Sequence, residues 1–185
     1  MKKMILGLLA VATLSLQAAE LDLSKSMISW VGKKAVVDSK HLGNVKFKSG
    51  NLEMKEGKLT GGKVVVDMNT INTTDLEGEW KDKLEGHLKN DDFFKVGKYP
   101  TATFTATSVK ATGKDKYQVK GDMKILDKTN PVDVTLTKKG NTFTGDLKIN
   151  RTKWGIKYGS GSFFDNLGDK AIADEIALEL KLVTK

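Results

Sequence analysis

Apolar and polar residues alternate with a period of two along most of this chain. Tyr117, Val119, Gly121, Met123 and Ile125 alternate with Gln118, Lys120, Asp122 and Lys124. The same pattern recurs at 45–49, 63–68, 102–107, 132–137, 143–149 and 176–183. Each stretch predicts a strand with one dry and one wet face. That is an antiparallel pattern, since parallel strands covered on both faces are apolar throughout. A further strand is predicted over 27–37, through Trp30. Glu56-Gly57, Gly113-Lys114-Asp115 and Gly140-Asn141 read as hairpin turns. Asp127 to Pro131 reads as a polar turn whose proline starts a strand but does not sit mid-ladder. The count is about eight strands, the number whose closed barrel holds side chains or one small ligand. Long strands must hide their dry face by closing or by facing a second sheet, and near-sequential hairpins favour an up-and-down barrel. The fold class is therefore all-β, an eight-stranded antiparallel β-barrel.

Two segments break the alternation. Thr74 to His87 reads as a short amphipathic helical insertion, with Thr74 and Glu77 as a capping box. Leu76, Trp80, Leu84 and Leu88 form its apolar stripe. The second break, Thr152 to Asp174, is rich in glycine and aromatics; a loop of that length inside a compact domain is usually functional.

Residues 1–19 stand apart from the rest. Lys2 and Lys3 precede a 12-residue apolar run, 5–16, and Ala18-Ala19 offers a small-residue cleavage site. This is the layout of a secretory signal peptide, and the run falls short of the roughly 20 residues of a membrane-spanning helix. Cleavage is expected after Ala18 or Ala19, leaving 20–185 as one domain in the periplasm or outside the cell. The chain has no cysteine, which removes disulfides and thiol chemistry. Without Lys2 and Lys3, 29 basic residues face 23 acidic ones, and the formal charge falls from +8 to +6. The surplus is dispersed over single lysines, with one arginine, Arg151. Nucleic-acid readers cluster Arg and Lys on one element, so no nucleic-acid partner is expected. A dispersed lysine surface suits weak contact with anionic lipid headgroups.

The residue types that carry catalysis are sparse. No Gly-x-Ser-x-Gly elbow is present, and His41 and His87 lack metal-ligand spacing, so neither a metal nor a cofactor is expected. His87, following a glycine at a helix end, reads as a partner for the last carbonyls. Arg151 is more informative. The dry parity of Phe143, Gly145, Leu147 and Ile149 lands next on residue 151. A buried guanidinium must be paired, with a buried carboxylate or with a ligand headgroup, and both readings stay open here.

The segments VDMNTINTTD (66–75), HLKNDDFF (87–94) and KYPTATF (98–104), supported by His41-Leu42-Gly43, YQVKGDMKI, NPVDVTL and the late Arg151, give the chain a resemblance to the YceI-like family. These are secreted bacterial proteins that bind polyisoprenoid or other long-chain lipids. The resemblance spans about 26–182 and implies a lipocalin-like barrel around an elongated apolar cavity. It implies a non-enzymatic carrier or sequestering role. The chain departs from the family pattern at Leu126–Pro131 and in a long 158–169 segment. The expected lumen is Val64, Val66, Phe104, Val119, Met123, Ile125, Phe143, Leu147 and Leu178. Phe93, Phe94, Trp154, Phe163 and Phe164 are expected at the barrel ends and lid, and Arg151 and His41 at a polar end. An enzyme using the same pocket, a ligand-free interaction barrel and a homodimer remain open.

Overall fold

Sixteen-residue hairpin arms set the size of this molecule, whose computed structural model describes residues 17–185. The strands are β1 (Gln17–Glu20), β2 (Met27–Lys34), β3 (Lys40–Lys55), β4 (Lys58–Thr73), β5 (Thr101–Gly113), β6 (Lys116–Ile125), β7 (Lys128–Lys139), β8 (Thr142–Asn150) and β9 (Ile172–Val183). From β2 to β9 each strand pairs antiparallel with the next, and β9 returns to β2. Eight strands thus close in up-and-down order. Closure satisfies the backbone of a dry-faced sheet without exposing that face. β1 adds a short ninth strand outside this circuit, pairing with β3 from Gln17↔Met54 to Glu20↔Asn51. Of the expected signal peptide, residues 1–16 lie outside the described residues, while Gln17, Ala18 and Ala19 lie in β1.

The turns follow the sequence closely. Glu56 and Gly57 both take positive φ, +52° and +76°, as a two-residue hairpin on twisted strands requires. The β6–β7 turn is tighter than expected: it occupies Leu126-Asp127, and Pro131 lies inside β7, opposite Asp122. β7 pairs with β8 only from Thr135 to Lys139. Pro131 therefore lies on a stretch with no β8 partner, where a missing N–H is tolerated.

Two seams interrupt the wall. Below Val134, β7 parts from β8, and a 3-10 turn, Arg151–Trp154, fills the gap. Trp154 is almost fully buried there and its Nε1–H donates to the Met123 carbonyl at 3.0 Å. At the other seam β4 and β5 pair only over Lys63–Asp67 and Thr101–Thr105, and diverge beyond.

The core lies inside the circuit. One end is a floor, where Leu21, Tyr117 and Phe143 are buried and the last two rings lie 6.3 Å apart. The other end is a rim built from the β2–β3 hairpin, helix α1 (Gly78–Lys89), the turn after it and the 151–171 segment. α1 starts later than predicted. Glu77 is its N-cap and no side chain caps it, so the Thr74–Glu77 box does not form. Trp80, a member of the predicted stripe, is instead 71% exposed, while Leu84 and Leu88 pack against the core.

Candidate functional site

Dry-face residues that do not fill the barrel leave a cavity of about 410 Å³. Val64, Val66, Phe104, Val119, Met123, Ile125, Leu147 and Leu178 line it, because uninterrupted strand parity carries each of them inward. Phe143 does not; it is part of the floor. Glycine shapes the wall at Gly43, where an added Cβ would lie 2.0 Å from the Asn72 carbonyl and 2.3 Å from the Trp30 ring. Only hydrogen fits there, so the Trp30 indole lies flat on β3 and still faces the cavity. The exposed Lys33, Ser39 and Lys40 of the β2–β3 hairpin are also in the lining, so the cavity reaches the surface at the rim.

The rim aromatics divide into two groups. Phe93 is buried and Phe94 half-buried, 5.1 Å apart and edge to face, and both line the cavity. They are held by the turn after α1, where Phe94 N–H donates to the Leu88 carbonyl at 3.1 Å. Trp154 instead plugs the β7–β8 seam, outside the lining. Phe163 and Phe164 are 46% and 51% exposed and do not cover the barrel. The 160–164 turn folds outward, with both N–H groups bound to the Ser160 carbonyl.

Arg151 is 1% exposed and borders the cavity. Its Nε donates to the Ala173 carbonyl (3.1 Å), one terminal nitrogen to Ile156 (2.9 Å) and the other to Ile172 (3.1 Å). That last nitrogen also lies 3.7 Å from Asp174, and the guanidinium sits 5.4 Å from the Phe93 ring centroid. Burial alone would raise the Asp174 pKa; the Ser160 and Ser162 hydroxyls and the Arg151 charge outweigh it and lower it. Arg151 is therefore a bracket that ties the start of β9 to the 151–156 turn. Most of its donor capacity is already committed.

His41 also borders the cavity, but its Nδ1 lies 2.9 Å from Asp75. Asp75 further accepts from the Leu42 N–H (2.9 Å) and the Thr73 hydroxyl (2.6 Å). Burial pushes the Asp75 pKa up, yet these bonds prevail and hold it at about 2. A carboxyl lowered on folding contributes stability above its ordinary pKa near 3.9 and loses it as pH falls through the folded value. Asp75→Asn is expected to cost about 1–2 kcal/mol at neutral pH, with the gap closing as pH approaches about 2. Urea unfolding across that range measures it, and an unchanged gap would refute the assignment.

Sequence reasoning missed His87 and Trp30. His87 does not reach the last carbonyls through its ring. The ring packs edge-on, 4.4 Å from Tyr158 and 5.7 Å from Phe93, with its Nε2 buried and without a hydrogen-bond partner. The available signal was its place three residues after Leu84 on one helical face. Among the described residues no group of three or more His, Asp and Glu side chains could hold a metal ion. The site offers apolar wall nearly everywhere, with polar groups at the rim mouth and, at the β4–β5 seam, Lys63 and Thr103.

Three comparisons bear on this geometry. The chain matches a family model described as YceI-like domain over residues 20–184. A UPF0312 protein of Pseudomonas savastanoi pv. phaseolicola is 30% identical over 175 residues, 85% of this chain and 89% of that protein. BcnA of Burkholderia cenocepacia superposes with a TM-score of 0.69 at 26% identity, covering 89% of this chain and 99% of that structure. A polyisoprenoid binding domain from Saccharophagus degradans, implicated in plant cell wall breakdown, shares the fold at TM-score 0.61 and 17% identity, covering 92% and 99%.

Proposed function

The chain belongs to the YceI-like domain family, and we propose that its barrel holds one long apolar chain, an isoprenoid or similar lipid, as a carrier or sequestering protein without catalytic turnover. The observation that carries this reading is the open lumen, about 410 Å³ of space walled by aliphatic and aromatic side chains. Empty apolar space forfeits dispersion contacts that a hydrocarbon guest restores. Each methylene moved there from water contributes about 0.8 kcal/mol, so ten give about 8 kcal/mol against the costs of ordering and association. The Saccharophagus domain, described as polyisoprenoid binding, supports the ligand class by analogy of fold. Arg151, the cation an enzyme would most readily use, is held by three carbonyls, which supports binding over turnover. A signal peptide over 1–19 would deliver the protein to the periplasm or beyond, between membranes where insoluble chains need a carrier.

Organic extraction of the purified protein followed by mass spectrometry tests the proposal. A long-chain lipid in near-stoichiometric amount is the expected result. Protein that arrives empty, and takes up no polyprenyl lipid when offered one in detergent, would overturn it.

A further inference from the structure

Large apolar side chains are exposed unevenly on this barrel. Leu23 and Met27 stand near the floor, whereas Val36, Val37, Trp80, Tyr158, Phe163 and Phe164 stand on rim segments, Val36 at 72% exposure. Five of these six share one connected surface. Ala35 N–H donates to the Ala171 carbonyl at 2.9 Å and Lys34 Nζ reaches the Lys170 carbonyl at 3.4 Å, so the hairpin tip lies against 170–171. Ile172 N–H donates to the Gly159 carbonyl at 2.7 Å, bringing in Tyr158, and Phe163 and Phe164 hang from Ser160. Over 33–40 and 157–170 five lysines (33, 34, 40, 157 and 170) face three aspartates (38, 165 and 169). Lys33 and Lys40 border the cavity mouth, and neither forms an ion pair among the described residues.

We propose that this part of the rim docks on the surface of an anionic phospholipid bilayer. The valine tip and the two phenylalanines enter the interface while the lysines meet headgroup phosphates. A soluble protein that shows aliphatic and aromatic tips on one face marks an interaction site there, and aromatic rings seat favourably at headgroup level. Lysines beside them add attraction to an anionic leaflet. Trp80 lies outside the footprint, because it stands near the start of α1, about two helical turns from His87, whose ring meets Tyr158. The cavity mouth then opens against the membrane from which an insoluble chain is drawn, so the inference rests on the lipid-holding reading.

Co-sedimentation with vesicles of phosphatidylcholine, with and without phosphatidylglycerol, tests it. The protein is expected to pellet with the anionic vesicles and to be released as salt rises. Lys33→Gln and Lys40→Gln are each expected to weaken partition about fivefold. Val36→Glu with Phe164→Glu should abolish pelleting while leaving the unfolding temperature and the uptake of polyprenyl lipid from detergent unchanged, and Trp80→Ala should pellet normally. No pelleting of the parent protein, or equal pelleting of the double variant, would overturn docking. So would light scattering that shows a dimer split by the double variant, which would make the patch a contact between copies. Extractable lipid without vesicle binding sinks docking alone. Vesicle binding by a barrel that never holds lipid supports docking and sinks the reading of the lumen.

Discussion

Replacing Arg151 with methionine is expected to lower the unfolding free energy by about 3–5 kcal/mol, the range for removing one partner of a buried ionic network. The side chain is buried, and its loss strands the carbonyls of Ile156, Ile172 and Ala173 beside the Asp174 carboxylate. A buried acceptor left without a donor costs about 1–3 kcal/mol. Methionine keeps the apolar stem but not the guanidinium, so a small cavity adds to the loss. Urea unfolding gives the number directly. Lysine should recover only part of the loss, since a point ammonium cannot reach three divergent carbonyls as a planar fork does. The acid limb offers an internal check. The lowered Asp174 pKa means its contribution is present above the ordinary carboxyl value and is lost as pH falls through the folded one. In the methionine variant the charge that helps hold it down is gone, so the folded pKa lies closer to the unfolded one, and the acid-induced loss of stability should be smaller and complete at higher pH. A loss under 1 kcal/mol would show that Arg151 braces nothing.

The second large effect is on binding rather than folding. Ala102→Trp is expected to empty the lumen. Ala102 is buried on β5, opposite Val66, and borders the cavity. An indole projecting from it would displace on the order of five methylenes, about 4 kcal/mol or close to a thousandfold in affinity. Stability should hold or rise, because the ring recovers dispersion contacts the empty space lacks. Thr105→Trp, on the exposed face of the same strand, is the control and should bind like the parent. Lipid retained by Ala102→Trp at parental level would show that the chain does not lie in this space.

How far the sequence reveals this arrangement depends on how regular each strand is. β6 to β8 are legible because nothing interrupts their parity: every other residue from Tyr117 to Gly121, from Val132 to Leu136 and from Leu147 to Ile149 is buried. β3 is not. Its pairing with β4 shifts between Phe47 and Ser49, so Ser49, in phase with Phe47 by sequence, faces solvent, and Leu52 returns to the core. A bulge adds one residue to one strand and inverts all later positions, with no compositional mark. The helix start was obscured by competition for Asp75. It bonds back to His41, Leu42 and Thr73 across the strand end instead of entering the first turn of α1.

The candidate site shows the same division. Strand parity locates eight of the nine expected lumen residues in the cavity wall. The loop residues resist such reading because no period constrains them. Phe163 and Phe164 resemble a plug in composition and stand outside. Arg151 reads as an ion-pair partner or a headgroup ligand, and its three backbone acceptors come from segments 5 to 22 residues away. Main-chain carbonyls carry no signature in a sequence, so a side chain satisfied by them is invisible until the chain is folded.

The parting of β4 from β5 has a consequence for behaviour in solution. Beyond Lys63 and Thr105 each strand runs on with hydrogen-bonding groups on one side unclaimed by the other, which makes a template for cross-chain strand addition. Lys58 and Lys63 on one lip and Lys110 and Lys114 on the other put like charges where an incoming copy would lie. The positive φ of Gly62 and the register break after Ala106 twist both lips out of plane. These lysines set like charge against an incoming strand, and neutralising them is expected to let copies associate along this flank, which light scattering would show.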